Sequence, residues 1–205
     1  MRKICLISYD NLDFFKSVAS YFYSIGDVKL TCLFENKKLI TDNSLLTFKN
    51  LTSKCLSKEE IFDYIRSNKF DICAFDSFFF SDIETLSGNS NLLFLFKALY
   101  PAFSESVNPV ADAYKSGVKV SGITIFVQND TQHKTIVAQY PLLISNLMHF
   151  DEYQKNVDNL VNLIYPIVID KVSSGKTFDF QDLIPSNSKN KSCSNSCGSC
   201  QKCNH

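Results

Sequence analysis

Short apolar runs alternating with amphipathic ones across the first half of the chain limit its folds more than any other feature. Residues 3–8 (KICLIS) read as a buried strand. Residues 11–25 then place Leu12, Phe15, Val18, Ala19, Phe22 and Ile25 at helical spacing, with Gly26 as the stop. A second strand is predicted over 28–34 (VKLTCLF). Ser57-Lys-Glu-Glu60 is a capping-box pattern, in which a hydroxyl and a carboxylate satisfy the free N–H groups of a helix start. The helix it opens should bury Ile61, Phe62 and Ile65. FDICAFD, after Asn68, supplies a third strand and NLLFLF (91–96) a fourth. This alternation predicts βαβ units and a parallel sheet in an α/β protein.

The second half changes character. Residues 118–127 (VKVSGITIFV) and 135–144 (TIVAQYPLLI) are two strand patterns joined by the polar NDTQHK, which suggests an antiparallel pair. A long amphipathic helix is expected over 151–173, with Tyr153, Val157, Leu160, Leu163, Ile164, Ile167 and Val168 on its packed side. Pro166 within it predicts a kink or a break. Beyond Lys176 hydrophobicity falls. The expected organisation is a domain over 1–178, a linker over 179–192 and a Cys-rich tail over 193–205.

Composition removes several function classes. Lys plus Arg equals Asp plus Glu at 21 each, and Arg2 and Arg66 are the only arginines. Neither a basic footprint nor guanidinium forks are present for nucleic acid, so no nucleic-acid partner is expected. No apolar run reaches the roughly 18 residues that a spanning helix needs, and no membrane association is expected. The opening MRKICLISYDN is a poor signal peptide, because Tyr9-Asp10 cuts its apolar stretch short. The expected location is cytoplasmic.

Cysteine divides into two groups. Cys5, Cys32 and Cys73 sit inside strand patterns and read as small buried hydrophobes, and Cys55 lies in a polar stretch before a helix. Cys193, Cys197, Cys200 and Cys203, with His205 as the last residue, form the spacing C-x3-C-x2-C-x2-C-x-H. Thiolates this close can share one metal centre. The three cysteines at 197, 200 and 203 match the opening of the bacterial ferredoxin pattern, so an iron–sulfur cluster leads, with Cys193 or a partner molecule as the fourth ligand. Zinc is second, since Cys₄ and Cys₃His sets are common but normally separate their ligand pairs by a dozen residues or more. Disulfide exchange and unligated thiols stay open. A protein partner or a homo-oligomer sharing the metal centre fits the same tail.

Several stretches, taken in order, resemble the phosphoribosylglycinamide formyltransferase family. They are ICLIS, FDICAFDSF, LYPAF (99–103), GVKVSGITIFV (117–127), IVAQYPLL (136–143) and IYPIVIDKVSSGK (164–176), together covering roughly residues 3–178. The resemblance implies a Rossmann-like fold, with a mostly parallel central sheet and helices on both faces, and an activity passing a formyl group from 10-formyltetrahydrofolate to the amine of glycinamide ribonucleotide. It implies an Asn and a His before the Pro-Ala-Phe run, and an Asp before the strand at IVAQ. Those positions fall on Phe94, Phe96 and Gln132 here. A phenyl ring neither donates a hydrogen bond nor carries a proton, and formyl transfer needs both functions. No His precedes His133, which adjoins Gln132 and is a weak candidate for an acid or base; His149 reads as a helix-boundary residue. The turn after the first strand, SYDNLDFF, lacks the glycines that admit a phosphate, and Asp10 and Asp13 would repel one. The phenylalanines of DSFFFSDI (76–83), matching a wall of the folate pocket, could hold a flat apolar ring or simply fill the vacated cleft; filling is the leading reading and makes folate doubtful. The expectation is a degenerate formyltransferase fold without formyl transfer, its Cys-rich tail serving binding, sensing or assembly. The alternative is a divergent folate-dependent formyltransferase acting on glycinamide ribonucleotide or another amine.

Overall fold

The computed structural model describes residues 1–9, 11–35, 48, 50–76, 91–128, 134–179 and 183 of the chain. Seven strands form one sheet in the order β3-β2-β1-β4-β5-β6-β7. They are β1 (Arg2–Ser8), β2 (Val28–Phe34), β3 (Leu51–Cys55), β4 (Ile72–Phe75), β5 (Asn91–Phe96), β6 (Val120–Gln128) and β7 (Lys134–Leu143). The first five pair in parallel, and β6 and β7 are antiparallel. Four helices complete the chain: α1 (Leu12–Ile25), α2 (Lys58–Ser67), α3 (Pro109–Lys115) and α4 (Phe150–Ser173). Among the described residues no helix is long and apolar enough to cross a membrane.

The expected class and the antiparallel C-terminal pair are both present. Apolar residues from α1, α3 and α4 cover one face of the sheet in the larger core, around Leu6, Leu93, Ile125, Val157 and Ile164. Ile61 and Ile65 of α2 cover the other, against Cys5, Ile7, Cys73, Phe75 and Phe94. The capping box of α2 forms as the sequence predicts, with Ser57 Oγ accepting from Glu60 N and Glu60 Oε2 accepting from Ser57 N. Cys5, Cys32 and Cys73 are fully buried.

Four features differ from the sequence expectations. Cys55, expected in a polar stretch before a helix, ends an edge strand, Leu51–Cys55, which pairs with β2 and leaves Thr52, Ser53 and Lys54 to solvent, so no alternation marks it. α3, which the sequence reading left out, is a seven-residue helix opened by Asn108 and Pro109, too short for a periodic signal. Pro166 does not break α4, which runs as one helix of 24 residues. The packed stripe of α4 is Tyr153, Val157, Val161, Ile164, Tyr165, Val168 and Ile169, while Leu163 is 60% exposed. Leu163 lies about 200° around the helix from Val161, and so falls outside the stripe.

Gly122 has no substitute in this sheet. A Cβ there would meet the carbonyl oxygen of Tyr140 at 1.9 Å, because β7 crosses directly against it.

Candidate functional site

In an open parallel sheet, ligands bind beyond the carboxyl ends of the strands where strand order reverses direction. Here the chain builds β2 and β3 on one side of β1 and then returns to place β4 on the other, so the reversal lies between β1 and β4. Both strands end there in a buried polar residue. Ser8 is 1% exposed and Asp76 4%. Ser8 Oγ donates to Asp76 Oδ2 at 2.6 Å and accepts from the backbone N–H of Asn11 at 3.0 Å. Asn11 in turn caps α1, its Oδ1 accepting from Phe14 N. A protein carboxylate thus stands at the end of this hydrogen-bond chain, beside the turn where the fold offers N–H groups to an anion.

Tyr165 of α4 braces the same point from below. Its hydroxyl donates to the carbonyls of Phe75 and Leu93, at 2.8 and 3.0 Å, and so ties β4 to β5. Burial, and secondarily the charge of Asp76, push this phenol well above the usual tyrosine range, while the bond to Phe75 opposes them. It therefore remains a protonated donor, a positioning residue rather than an acid.

Beside the switch point the face of the sheet turned toward α2 is lined with rings. Phe94, in register with Phe75 and Phe126, stacks on Phe75 with centroids 5.0 Å apart and planes 23° apart. Phe96 meets Tyr100 edge-on, and Tyr100 meets Phe126 the same way at 5.1 Å. Phe94 is 2% exposed and Phe96 6%, both packed within the α2-side core. The predicted positions of the Asn and the His are thus brought together, but as core. Thr124 Oγ1 donates to Ala98 O and accepts from Tyr100 N and Gln139 Nε2, fixing the turn that carries Tyr100 and Pro101.

On the opposite face of the sheet, toward α1 and α4, a polar recess of about 320 Å³ opens at the same carboxyl end. Asn11, Asp13, Lys97, Gln154, Asp158 and Asn162 line it. Lys97 Nζ lies 2.9 Å from Asp158 Oδ1, so the only cation among the described lining residues is neutralised, and with Asp13 those residues carry a net negative charge. Such a lining disfavours a phosphate.

Most of the remaining candidates lie outside the described residues. Gln132 and His133 lie outside the described residues, as do Asp10, residues 77–83 of the DSFFFSDI segment, the linker from 184 on, and Cys193, Cys197, Cys200, Cys203 and His205. His149 is the N-cap of α4, nine residues and about 14 Å along the helix from Asp158. Among the described residues no group of three or more His, Cys, Asp or Glu is arranged to hold a metal. Ser8, Asp76, Lys97 and Asp158 were not singled out from sequence. For the first two a signal existed: ICLIS and ICAFD are buried runs that each end in a polar residue, as neighbouring strands do where they meet a crevice.

This arrangement is that of a Rossmann-like α/β protein with its crevice at the β1/β4 switch. Comparison with solved structures narrows it to the fold of phosphoribosylglycinamide formyltransferases. The enzyme from Bacillus halodurans superposes with a TM-score of 0.68 at 14% identity, covering 84% of this chain and 96% of that one. The Coxiella burnetii enzyme gives 0.68 at 12% identity, over 87% and 90% of the two chains. That of Campylobacter jejuni gives 0.66 at 16%, over 83% and 97%. No family model matches the sequence, and neither does any curated protein.

Proposed function

We propose that this chain is a divergent member of the phosphoribosylglycinamide formyltransferase family that has lost formyl transfer and works as a binding or assembly module. The observation that carries this reading is the burial of Phe94 and Phe96 at the two positions where the resemblance calls for an oxyanion donor and an imidazole. Losing one such donor costs about 10²–10³ in rate, and no described side chain at the crevice replaces it. The substrate side agrees, since the described lining of the recess is net negative where a ribonucleotide phosphate would need cations or open N–H groups. The close packing of Phe75 and Phe94 on this face argues against folate as well.

Metal chemistry falls to the tail in this reading. Cys193, Cys197, Cys200, Cys203 and His205 would hold an iron–sulfur cluster or zinc, serving sensing, delivery or assembly, with a partner protein or second copy able to complete the ligand set. A cytoplasmic location suits a chain whose described cysteines are all free thiols.

Two assays on the full-length protein test the proposal. Incubation with 10-formyltetrahydrofolate and glycinamide ribonucleotide should give no transfer above the uncatalysed background. Turnover on the order of 1 s⁻¹, within the ordinary range of enzymes, would overturn it. Anaerobic purification followed by iron, sulfide and zinc analysis should find metal that is lost in the Cys197→Ser/Cys200→Ser variant. Metal-free protein would remove the tail from the account. One feature favours the alternative of a transferase for another amine: the recess keeps a Lys97–Asp158 pair and three amide side chains able to seat a polar, uncharged or cationic acceptor. Formyl transfer to an amino sugar, with none to the ribonucleotide, would decide for it.

A further inference from the structure

The amino end of the sheet, opposite the crevice, concentrates positive charge that the described side chains offset only in part. Lys3 of β1 and Lys29 of β2 are register partners, so their side chains emerge side by side on the α2 face. Lys69, in the turn between α2 and β4, closes the third side of the same recess, of about 120 Å³. Thr31, Tyr64 and Asn68 contribute to its walls. A fourth ammonium, that of Lys54, sits 4.5 Å from the centre of the Tyr64 ring. Like charges set directly opposite across two strands are destabilising, so the arrangement works against the sheet unless something offsets it.

One carboxylate of the neighbouring elements, Asp71, stands beside Lys3, and three others have partners of their own. Asp71 Oδ2 accepts from the backbone N–H of Lys3 rather than from its ammonium. Asp63 pairs with Arg66, Glu60 caps Ser57, and Asp27 pairs with the N-terminal ammonium. Among the described residues no carboxylate lines the recess. Its volume is well below the roughly 300 Å³ at which pockets begin to take whole organic ligands. Ammonium groups act on phosphate as mobile point charges, and three of them around a hydroxyl and an amide suit a compact tetrahedral oxyanion.

The geometry points to a phosphate-binding site at Lys3, Lys29 and Lys69, on the end of the sheet away from the crevice. It takes inorganic phosphate, or the phosphate group of a small ester whose remainder stays in solvent.

The test is a titration of the full-length protein with sodium phosphate at constant ionic strength, followed by backbone amide chemical shifts, with sodium chloride as the control. Saturable shifts at Lys3, Lys29, Thr31, Asn68 and Lys69 are expected. In Lys3→Gln/Lys29→Gln/Lys69→Gln the apparent affinity should fall at least about tenfold, a change of 1.4 kcal/mol, while Lys29→Arg retains binding. Glycerol phosphate identifies the source: tighter binding than inorganic phosphate assigns the site to an ester, and equal binding assigns it to the free ion. Shifts that chloride reproduces, that survive in the triple variant, or that centre on Asn11 and Lys97 instead overturn the proposal. So does the absence of any saturable shift. Because none of these readouts involves formyl transfer, the outcome is independent of the proposed loss of activity.

Discussion

At the carboxyl end of the sheet, Phe94 and Phe96 pack into core, Asp76 occupies the switch point, and the described lining of the adjoining recess carries net negative charge. At the amino end, Lys3, Lys29 and Lys69 line a small recess with no acid among its described lining residues. The first end is where this fold ordinarily receives ligands; the second is ordinarily scaffold. The contrast teaches that a sheet can keep its topology while the chemistry of its ends is redistributed, because topology rests on the apolar interior that both ends share. Strand order and register depend on residues such as Ile4, Leu6, Ile72 and Leu93, all essentially inaccessible to solvent. A side chain at the end of a strand can change without touching them.

The contrast breaks most decisively if the carboxyl end is not truly filled. Phe94→Ala should cost about 3–5 kcal/mol of stability, since it empties a fully enclosed ring site between Phe75 and Phe126. Urea unfolding, monitored by circular dichroism, measures it. A loss under about 1 kcal/mol would mean that the ring lies over an open crevice rather than in core, and that the end remains available to a ligand.

The interior between the two ends can be probed by pH. Burial raises the thiols of Cys5 and Cys32 above their ordinary range, Cys5 further through the Cys73 side chain beside it, and burial raises Tyr165 likewise. All three have folded values above the unfolded ones. Below about pH 8 both states hold the protons and these groups make no slope. As pH rises past about 8.5, and again past about 10, the unfolded chain releases protons that the folded chain keeps, and stability falls. Urea midpoints between pH 6 and 10.5 should therefore be flat and then decline, less steeply in Cys32→Ala. A flat profile throughout would show that solvent reaches the strands from one end.

A smaller effect is expected at the switch point itself. Ser8→Ala removes the hydroxyl that serves both Asn11 N and Asp76, leaving a buried carboxylate short of a donor, for about 1–3 kcal/mol. Asp76→Asn, which keeps an acceptor for Ser8 and sheds the charge, should cost less. The reverse order, read from the same urea curves, would mean that the negative charge is what holds the β1–α1 turn.

How far the sequence reaches differs between interior and ends for the same reason. The buried strands and α1, α2 and α4 announce themselves because burial imposes periodicity on KICLIS, VKLTCLF and NLLFLF. Leu51–Cys55 escapes notice because an edge strand with one solvated flank needs no alternation, and α3 because seven residues hold barely two turns. That the resemblance's Asn and His positions fall on Phe94 and Phe96 is an expectation from resemblance alone. That they are core rather than a hydrophobic pocket is a matter of packing across β4, β5 and β6, which no local pattern encodes. The lysine recess is not legible at all: Lys3, Lys29 and Lys69 lie far apart in the chain, and strand register alone brings the first two together.

That recess also supplies the smallest and most specific expected change. In a chloride buffer without phosphate, Lys29→Gln removes a charge placed directly beside Lys3, and should stabilise the protein by about 0.2–1 kcal/mol. The gain should shrink as salt rises through about 0.1 M, where the screening length of about 10 Å approaches the separation of the side chains. Added phosphate should reverse its sign, because the wild-type recess gains a bound anion that the variant holds less well. Thermal unfolding of the two proteins with and without phosphate reads all three effects in one series. An unchanged midpoint in chloride would show that the two ammonium groups splay apart into solvent. The amino end would then be an ordinary solvated rim, and the contrast with the carboxyl end would rest on the phenylalanines alone.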